Sequence, residues 1–304
     1  MALEPVRLVT YVRGGTISVG MVDDDAIWDL PDSHAAASAD GATAKGPYFL
    51  PGAMKAFIAL GEAGVDAGLA AVTRVKEKGR EAWLGRPLRT ALADTTLLPP
   101  VPDPGKILCM GLIFPSHAVA TGQQLPKSPQ IFMKPLSGLV GHGGALVIPK
   151  AWPERTAAGA ELCVVIGRQG KAVDEEHALD LVYGYTVFND VTARGISFPK
   201  NKMFDTHSPI GPWIVPKAYA PDPQNVTLTV RVNGADKEVV HTRDMVFPVR
   251  TQIRDCAEAM TLMPGDYIAT GDVGSEAWLR PGDVVECVVQ GIGTLANRCV
   301  AETV

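Results

Sequence analysis

The run Asn189-Asp190-Val191-Thr192-Ala193-Arg194 sets a carboxylate, two neutral hydrogen-bonding side chains and a guanidinium directly after the apolar stretch 184–188. Packing alone has little use for such a cluster at the end of a buried strand. A second acid, Glu161, stands at the head of the apolar stretch 162–166. Carboxylates at the mouths of apolar strands are the donors that hard divalent cations take, because magnesium, manganese and calcium bind oxygen. The plainer alternative is that both acids cap turns at a sheet edge. Farther on, Lys202 precedes Asp205, Thr206 and His207 in a loop stiffened by Pro209 and Pro212. A lysine beside a cation and its carboxylates can hold a substrate carboxylate or enolate oxygen by charge; otherwise it is a surface lysine ahead of a rigid turn. Thr270-Gly271-Asp272-Val273-Gly274 is a glycine-rich strand end where a ligand can approach the backbone. It is no phosphate loop, since GxxxxGK[ST] is missing from the chain.

The elements that must position these groups are mostly strands. Alternating residues at 6–11, 17–22 and 27–30 predict a small meander. The Ala/Ser/Gly-rich stretch 33–47 predicts a loop, and 54–60 and 64–78 predict helices, the second with little amphipathic character. Four prolines within 97–105 mark a linker. Beyond it, short apolar runs recur between turn signals. Pro-Gly-Asp occurs at 264–266 and again at 281–283, each time opening a β-rich run. Helices are expected at 174–181 and 249–260. The fold class expected is mainly β with some α (α+β), built from mixed sheets. Residues 1–100 form a small β-rich N-terminal domain with its linker, and 101–304 form the domain carrying the chemistry.

Composition narrows the functions. Of 304 residues, 46% are apolar and 20% charged, ordinary for a globular protein. A net charge of −5 argues against nucleic acid as a partner, since phosphate binding needs clustered Lys and Arg. No long apolar run suggests a membrane span, and the first residues lack the basic and apolar parts of a signal peptide, so a cytoplasmic location is expected. Five scattered cysteines without a CxxC pair read as buried free thiols. Cys109, with His117 close behind it, is the one candidate for a reactive thiol.

These motifs, in this order, resemble the fumarylacetoacetate hydrolase superfamily over residues 105–300. The resemblance rests on Lys106 through Leu112 with His117, Glu161-Leu162, the run 184–194, Lys202 with Phe204-Asp205-Thr206, and Pro209 through Trp213. It continues through Val232-Asn233-Gly234, Pro264-Gly265-Asp266, Thr270-Gly271 and Gly291 through Thr294. It implies a β-roll of mixed sheets, a homodimer, and a divalent cation (magnesium or manganese, with calcium the third candidate) on carboxylates. It implies action on small 2-oxo acids or 1,3-dicarbonyl compounds, by C–C bond hydrolysis, decarboxylation or isomerisation through a stabilised enolate, as in aromatic catabolism. Glu161 and Asp190 would then hold the metal, and His117, Lys202 and Asp190 would be catalytic. Arg194, Lys202, Thr270, Gly271, Phe114 and His207 would face the substrate, with 114–126 as a lid.

The departures from the family pattern shape this expectation. Gly159 stands where the family's first glutamate ligand belongs, so two carboxylates remain and the cation is expected to be weakly held or absent. Ala120 replaces the glutamate that partners the histidine, and Gly195 an aspartate after the arginine. His207 and His142 are candidate substitutes for the lost base. A second reading follows from the same changes: an enlarged pocket with fewer negative charges, running metal-free chemistry on a larger anionic or aromatic substrate. A third is an inactive binding protein of the same fold.

Overall fold

A computed structural model describes residues 6–41, 49–273 and 276–303, except the side chains at 120 and 121. The architecture is the expected mixed-sheet roll. Among the described residues the largest sheet has eleven strands, and its middle is made by Ser208–Pro216, Val182–Asn189, Ala160–Ile166, Tyr267–Ala269 and Ile107–Gly111 in that spatial order. All but one of these neighbours are antiparallel; Tyr267–Ala269 and Ile107–Gly111 run parallel. A five-stranded sheet, Ala145–Ile148, Gly293–Ala301, Val284–Val289, Thr227–Val232 and Ala235–His241, closes the roll.

The strand Ala160–Ile166 is buried along its whole length because it is covered on both faces. Leu162, Val164 and Ile166 join a core with Leu228, Val230, Val285 and Leu295 of the second sheet and Ile253 of the helix Val249–Ala259. Cys163 and Val165 point the other way, as period-two alternation demands, into a core with Leu30, Phe57, Ile58, Val65 and Val72. Those residues come from the first hundred, so the N-terminal part covers one face of the central sheet. It also extends that sheet: Arg7–Arg13 pairs with Ser208–Pro216 through Leu8 and Ile214.

Several local expectations need correction. Residues of the stretch expected as a loop form the helix Leu30–Ala39, its first turn capped by the Asp29 carboxylate accepting from the Asp32 N–H; residues 42–47 of that stretch lie outside the described chain. The helix Glu62–Glu77 does have a core face, with Val65, Ala67, Ala71, Val72 and Val75 buried. Small residues make that face, which weakens its contrast with the exposed side. The helix expected at 174–181 is a single 3-10 turn, Ala178–Leu181. The acids ahead of it make a turn in which Asp174 accepts from the His177 N–H. The helix near 250 begins at Val249 after Pro248 and has no side-chain cap. No helix among the described residues is long and apolar enough to cross a membrane.

Candidate active site

Where the central strands end, their terminal residues meet. Asp190 follows Val182–Asn189, Glu161 is the second residue of Ala160–Ile166, and 270–272 continue Tyr267–Ala269. Pairing of Cys163 with Ala269 carries onward: the Thr270 N–H and hydroxyl both donate to the Leu162 carbonyl. The Gly271 N–H then donates to Glu161 Oε2 at 2.8 Å. One more residue brings Asp272 level with the start of the neighbouring strand. Glu161, Asp190 and Asp272 each offer an oxygen, and these oxygens lie within 4.8 Å of one another.

The three carboxylates are buried, and two of them keep an oxygen, Glu161 Oε1 and Asp272 Oδ2, that accepts no hydrogen bond from the described residues. Burial pushes the Glu161 carboxyl well above its usual range, and the charges of Asp190 and Asp272 push the same way. Such a cluster is costly unless a positive charge joins it. Oxygen-only donors, two of them unsatisfied, fit a hard divalent cation and no soft one. Glu161 and Asp190 therefore lie together as expected, but the shortfall to two carboxylates is overturned, because Asp272 brings a third.

Asp190 is also held by two lysines. Lys134, fully buried, donates to Asp190 Oδ1 at 2.7 Å and to the carbonyls of Val191 and His207. Lys202 donates to Asp190 Oδ2 and, at 2.7 Å, to the Thr192 hydroxyl. Burial alone would raise the Asp190 carboxyl, but the two ammonium groups outweigh it and draw it down to about 2. Lys202 behaves in mirror image: burial works against its charge, yet Asp190 and Asp272 raise it above the ordinary lysine value.

His117 sits in the short helix Pro115–Thr121, with Nδ1 3.8 Å from Asp272 Oδ1. Burial lowers the His117 imidazole below its ordinary value; Asp272 opposes that, while Arg194 and Lys202 add to it. That direction favours the neutral ring, the form able to take a proton. A cavity of about 620 Å³ opens here, lined by His117, Asp190, Arg194, Lys202 and Asp272 on its polar side. Met110, Leu112, Ile131, Phe132 and Phe198 supply an apolar wall.

The other expected residues have different places. Phe114 is buried in the core between the sheets, outside the cavity lining. Thr270 spends its hydroxyl on a backbone carbonyl, and Gly271 acts through its N–H on Glu161. His207 is fully buried, tilted against Phe204 with Nε2 3.2 Å from the Val147 carbonyl, and held down to about 3 chiefly by burial and then by Lys134. His142 Nδ1 accepts from the Ala296 N–H. Neither histidine is a replacement base. Cys109 is fully buried, and burial together with Asp190 and Glu161 pushes its thiol well up, so it is an inert core residue.

Nor does Gly159 enlarge the pocket. Its N–H donates to Asn189 Oδ1 and its carbonyl accepts from the Asp190 N–H. The space beyond its α-carbon is filled by Asp272. Sequence reasoning passed over Asp272, Lys134, Asn201 and Gln130, of which all but Lys134 line the cavity. The single available signal was an acid in a glycine-rich strand end two residues past Thr270.

Residues 106–300 match the family described as Fumarylacetoacetate (FAA) hydrolase C-terminal. An uncharacterized protein of Methanocaldococcus jannaschii is 39% identical over 64% of this chain and 82% of its own length. A mitochondrial oxaloacetate tautomerase of Xenopus laevis is 35% identical over 83% of this chain and 79% of its own. Among solved structures, maleylpyruvate hydrolase from Sphingobium, in complex with manganese(II) ion and pyruvate, superposes with a TM-score of 0.76 at 27% identity, over 98% of this chain and 100% of that one. A 2-hydroxyhepta-2,4-diene-1,7-dioate isomerase from Mycobacterium marinum gives 0.72 at 27% identity with the same coverage.

Proposed function

Since this chain belongs to the fumarylacetoacetate hydrolase family, we propose that it is an enzyme acting on a 2-oxo acid or 1,3-dicarbonyl compound, cleaving or isomerising it through a stabilised enolate. The observation that carries this reading is the cluster of three buried carboxylates, two of which, Asp190 and Asp272, share the wall of one cavity with Lys202 and His117, while Lys134 holds Asp190 from behind. Relatives named for hydrolysis, isomerisation and tautomerisation share one requirement: electrons from a breaking C–C or C–H bond must be accommodated beside a 2-oxo group. Magnesium or manganese bound by the carboxylates, or calcium in their place, supplies Lewis-acid stabilisation of the oxo-acid oxygens.

The chain's own groups do the rest. Arg194 and Lys202 present positive charge to the substrate carboxylate and to the oxygen on which charge develops, in a cavity with a large apolar wall, where such charges act more strongly than in bulk water. Asp190 and Thr192 fix the Lys202 ammonium, so it needs no reorganisation as the charge forms. His117 in its neutral form takes a proton from water or from the carbon next to the oxo group. The apolar wall around Phe132 and Phe198 receives the rest of the substrate. We further propose a homodimer in the cytoplasm with no nucleic-acid or membrane partner, which rests on the sequence resemblance and on the net charge of −5.

The test is turnover of oxaloacetate and of an acylpyruvate in the presence of manganese, comparing the parent protein with Lys202→Met. The expected loss in kcat/KM is ~10²–10³-fold, the usual effect of removing one charge-stabilising donor. Failure of the parent protein to transform either compound, or equal turnover by Lys202→Met, overturns the proposal.

A further inference from the structure

We propose that Asp272 is a cation ligand transplanted from another part of the chain, and that the absence of a side chain at Gly159 is what admits it. The inference rests on the reading of this site as a divalent-cation site. A Cβ built on Gly159 would stand 2.0 Å from Asp272 Oδ2, 2.7 Å from its Cγ and 3.0 Å from its Cβ. Real side chains never approach so closely, so any side chain at 159 is incompatible with Asp272 in this pose. Positions 159 and 272 are alternative suppliers of one carboxylate to one space.

The strand register explains how the exchange is possible. With Cys163 opposite Ala269 and Gly271 bonded to Glu161, the next residue along the segment lies beside the start of the neighbouring strand. Gly159 is itself clamped by two hydrogen bonds, its N–H donating to the Asn189 side-chain oxygen and its carbonyl accepting from the Asp190 N–H. A carboxylate at 272 thus reaches the cluster from the Tyr267–Ala269 side, and one at 159 would reach Glu161 along its own strand and Asp190 across to the next. Either way the cluster holds three acids.

Asp272 would be hard to explain as packing. It is only 5% exposed, and Oδ2, the oxygen in the Gly159 hollow, accepts no hydrogen bond from the described residues. A buried carboxylate with an unpaired oxygen is costly unless a charge compensates it. The other oxygen faces His117 Nδ1 at 3.8 Å. Asp272 therefore spans the cation cluster and the imidazole, which lets one acid stand for both carboxylates that the sequence lacks at 159 and 120.

The experiment is manganese binding to the full-length protein, by calorimetric titration and by the electron paramagnetic resonance of free ion. It compares the parent with Asp272→Asn, Asp272→Ala, Gly159→Glu, and the double variant Gly159→Glu/Asp272→Ala, with thermal melts to verify folding. Both Asp272 variants are expected to lose at least ~10-fold in manganese affinity, since even outer-shell changes cost that much. Gly159→Glu alone should lower the melting temperature, and the double variant should recover both folding and most of the affinity. If folded Asp272→Asn binds manganese as the parent does, or the double variant binds no better than Asp272→Ala, the transplant is wrong and the cation reading stands. Absence of manganese binding by the parent protein would overturn both.

Discussion

At the scale of single residues, the site shows why charge alone is a poor guide to role. His207 lies two residues from Asp205 in a loop full of polar groups, and its type suggested a substitute base. Its surroundings forbid that: it is buried, near the Lys134 ammonium, and held down to about 3. The sign of its effect on stability follows. An unfolded chain protonates this histidine near its ordinary value of about 6.5, and the folded chain does so only near 3. Its contribution is complete above pH 6.5 and is lost progressively as pH falls from there toward 3, by at most about 1.4 kcal/mol per pH unit. Between pH 7 and 5, His207→Gln should therefore show a shallower fall in unfolding free energy than the parent, measured by urea titration. Equal slopes would mean that the ring is not held neutral.

Strands and turns decide which of these residues meet. Glu161, Asp190 and Lys202 could be read from the sequence because each sits beside an apolar stretch or a rigid turn, whereas His117 entered through the family resemblance. Asp272 could not, because nothing in Thr270-Gly271-Asp272 says which neighbouring strand it reaches; only the pairing of Cys163 with Ala269 does. The helix Leu30–Ala39 was hidden for a related reason: its alanines and serines resemble a loop, and its stability comes from burial of Leu30, Ala36 and Ala37 against residues distant in sequence. Gly271 shows how closely such an element is fitted. Its φ is +99°, and a Cβ there would stand 2.7 Å from Ile113. Gly271→Ala is expected to destabilise the fold by roughly 1–3 kcal/mol and to weaken manganese binding, because the N–H that orients Glu161 moves. A variant with unchanged melting temperature and manganese affinity would show that the strand end tolerates a side chain.

On the scale of the whole molecule, the question is whether the first hundred residues are an accessory to the roll or part of it. The linker reading at 97–105 suggested a separable unit, and the structure shows how much crosses it. Arg7–Arg13 is hydrogen-bonded to Ser208–Pro216, the neighbour of the strand that delivers Asp190. Val65, Val72, Phe57 and Ile58 cover the same sheet face as Cys163, Val165 and Tyr267. On that face Val65, Phe57, Ile58 and Val165 are nearly or fully buried, and exposing a large apolar side chain costs about 1.5–3 kcal/mol each. Domains of this size have only about 5–15 kcal/mol of net stability. A chain restricted to 101–304 would therefore expose this face and the part of the Ser208–Pro216 edge that Arg7–Arg13 covers, and is expected to be aggregated or molten rather than to melt cooperatively. Binding of a hydrophobic dye and loss of the near-UV circular dichroism signal would report that outcome. A soluble fragment with a cooperative melt and undiminished manganese affinity would instead make the N-terminal part a dispensable cover, and the three-carboxylate site a property of the roll by itself.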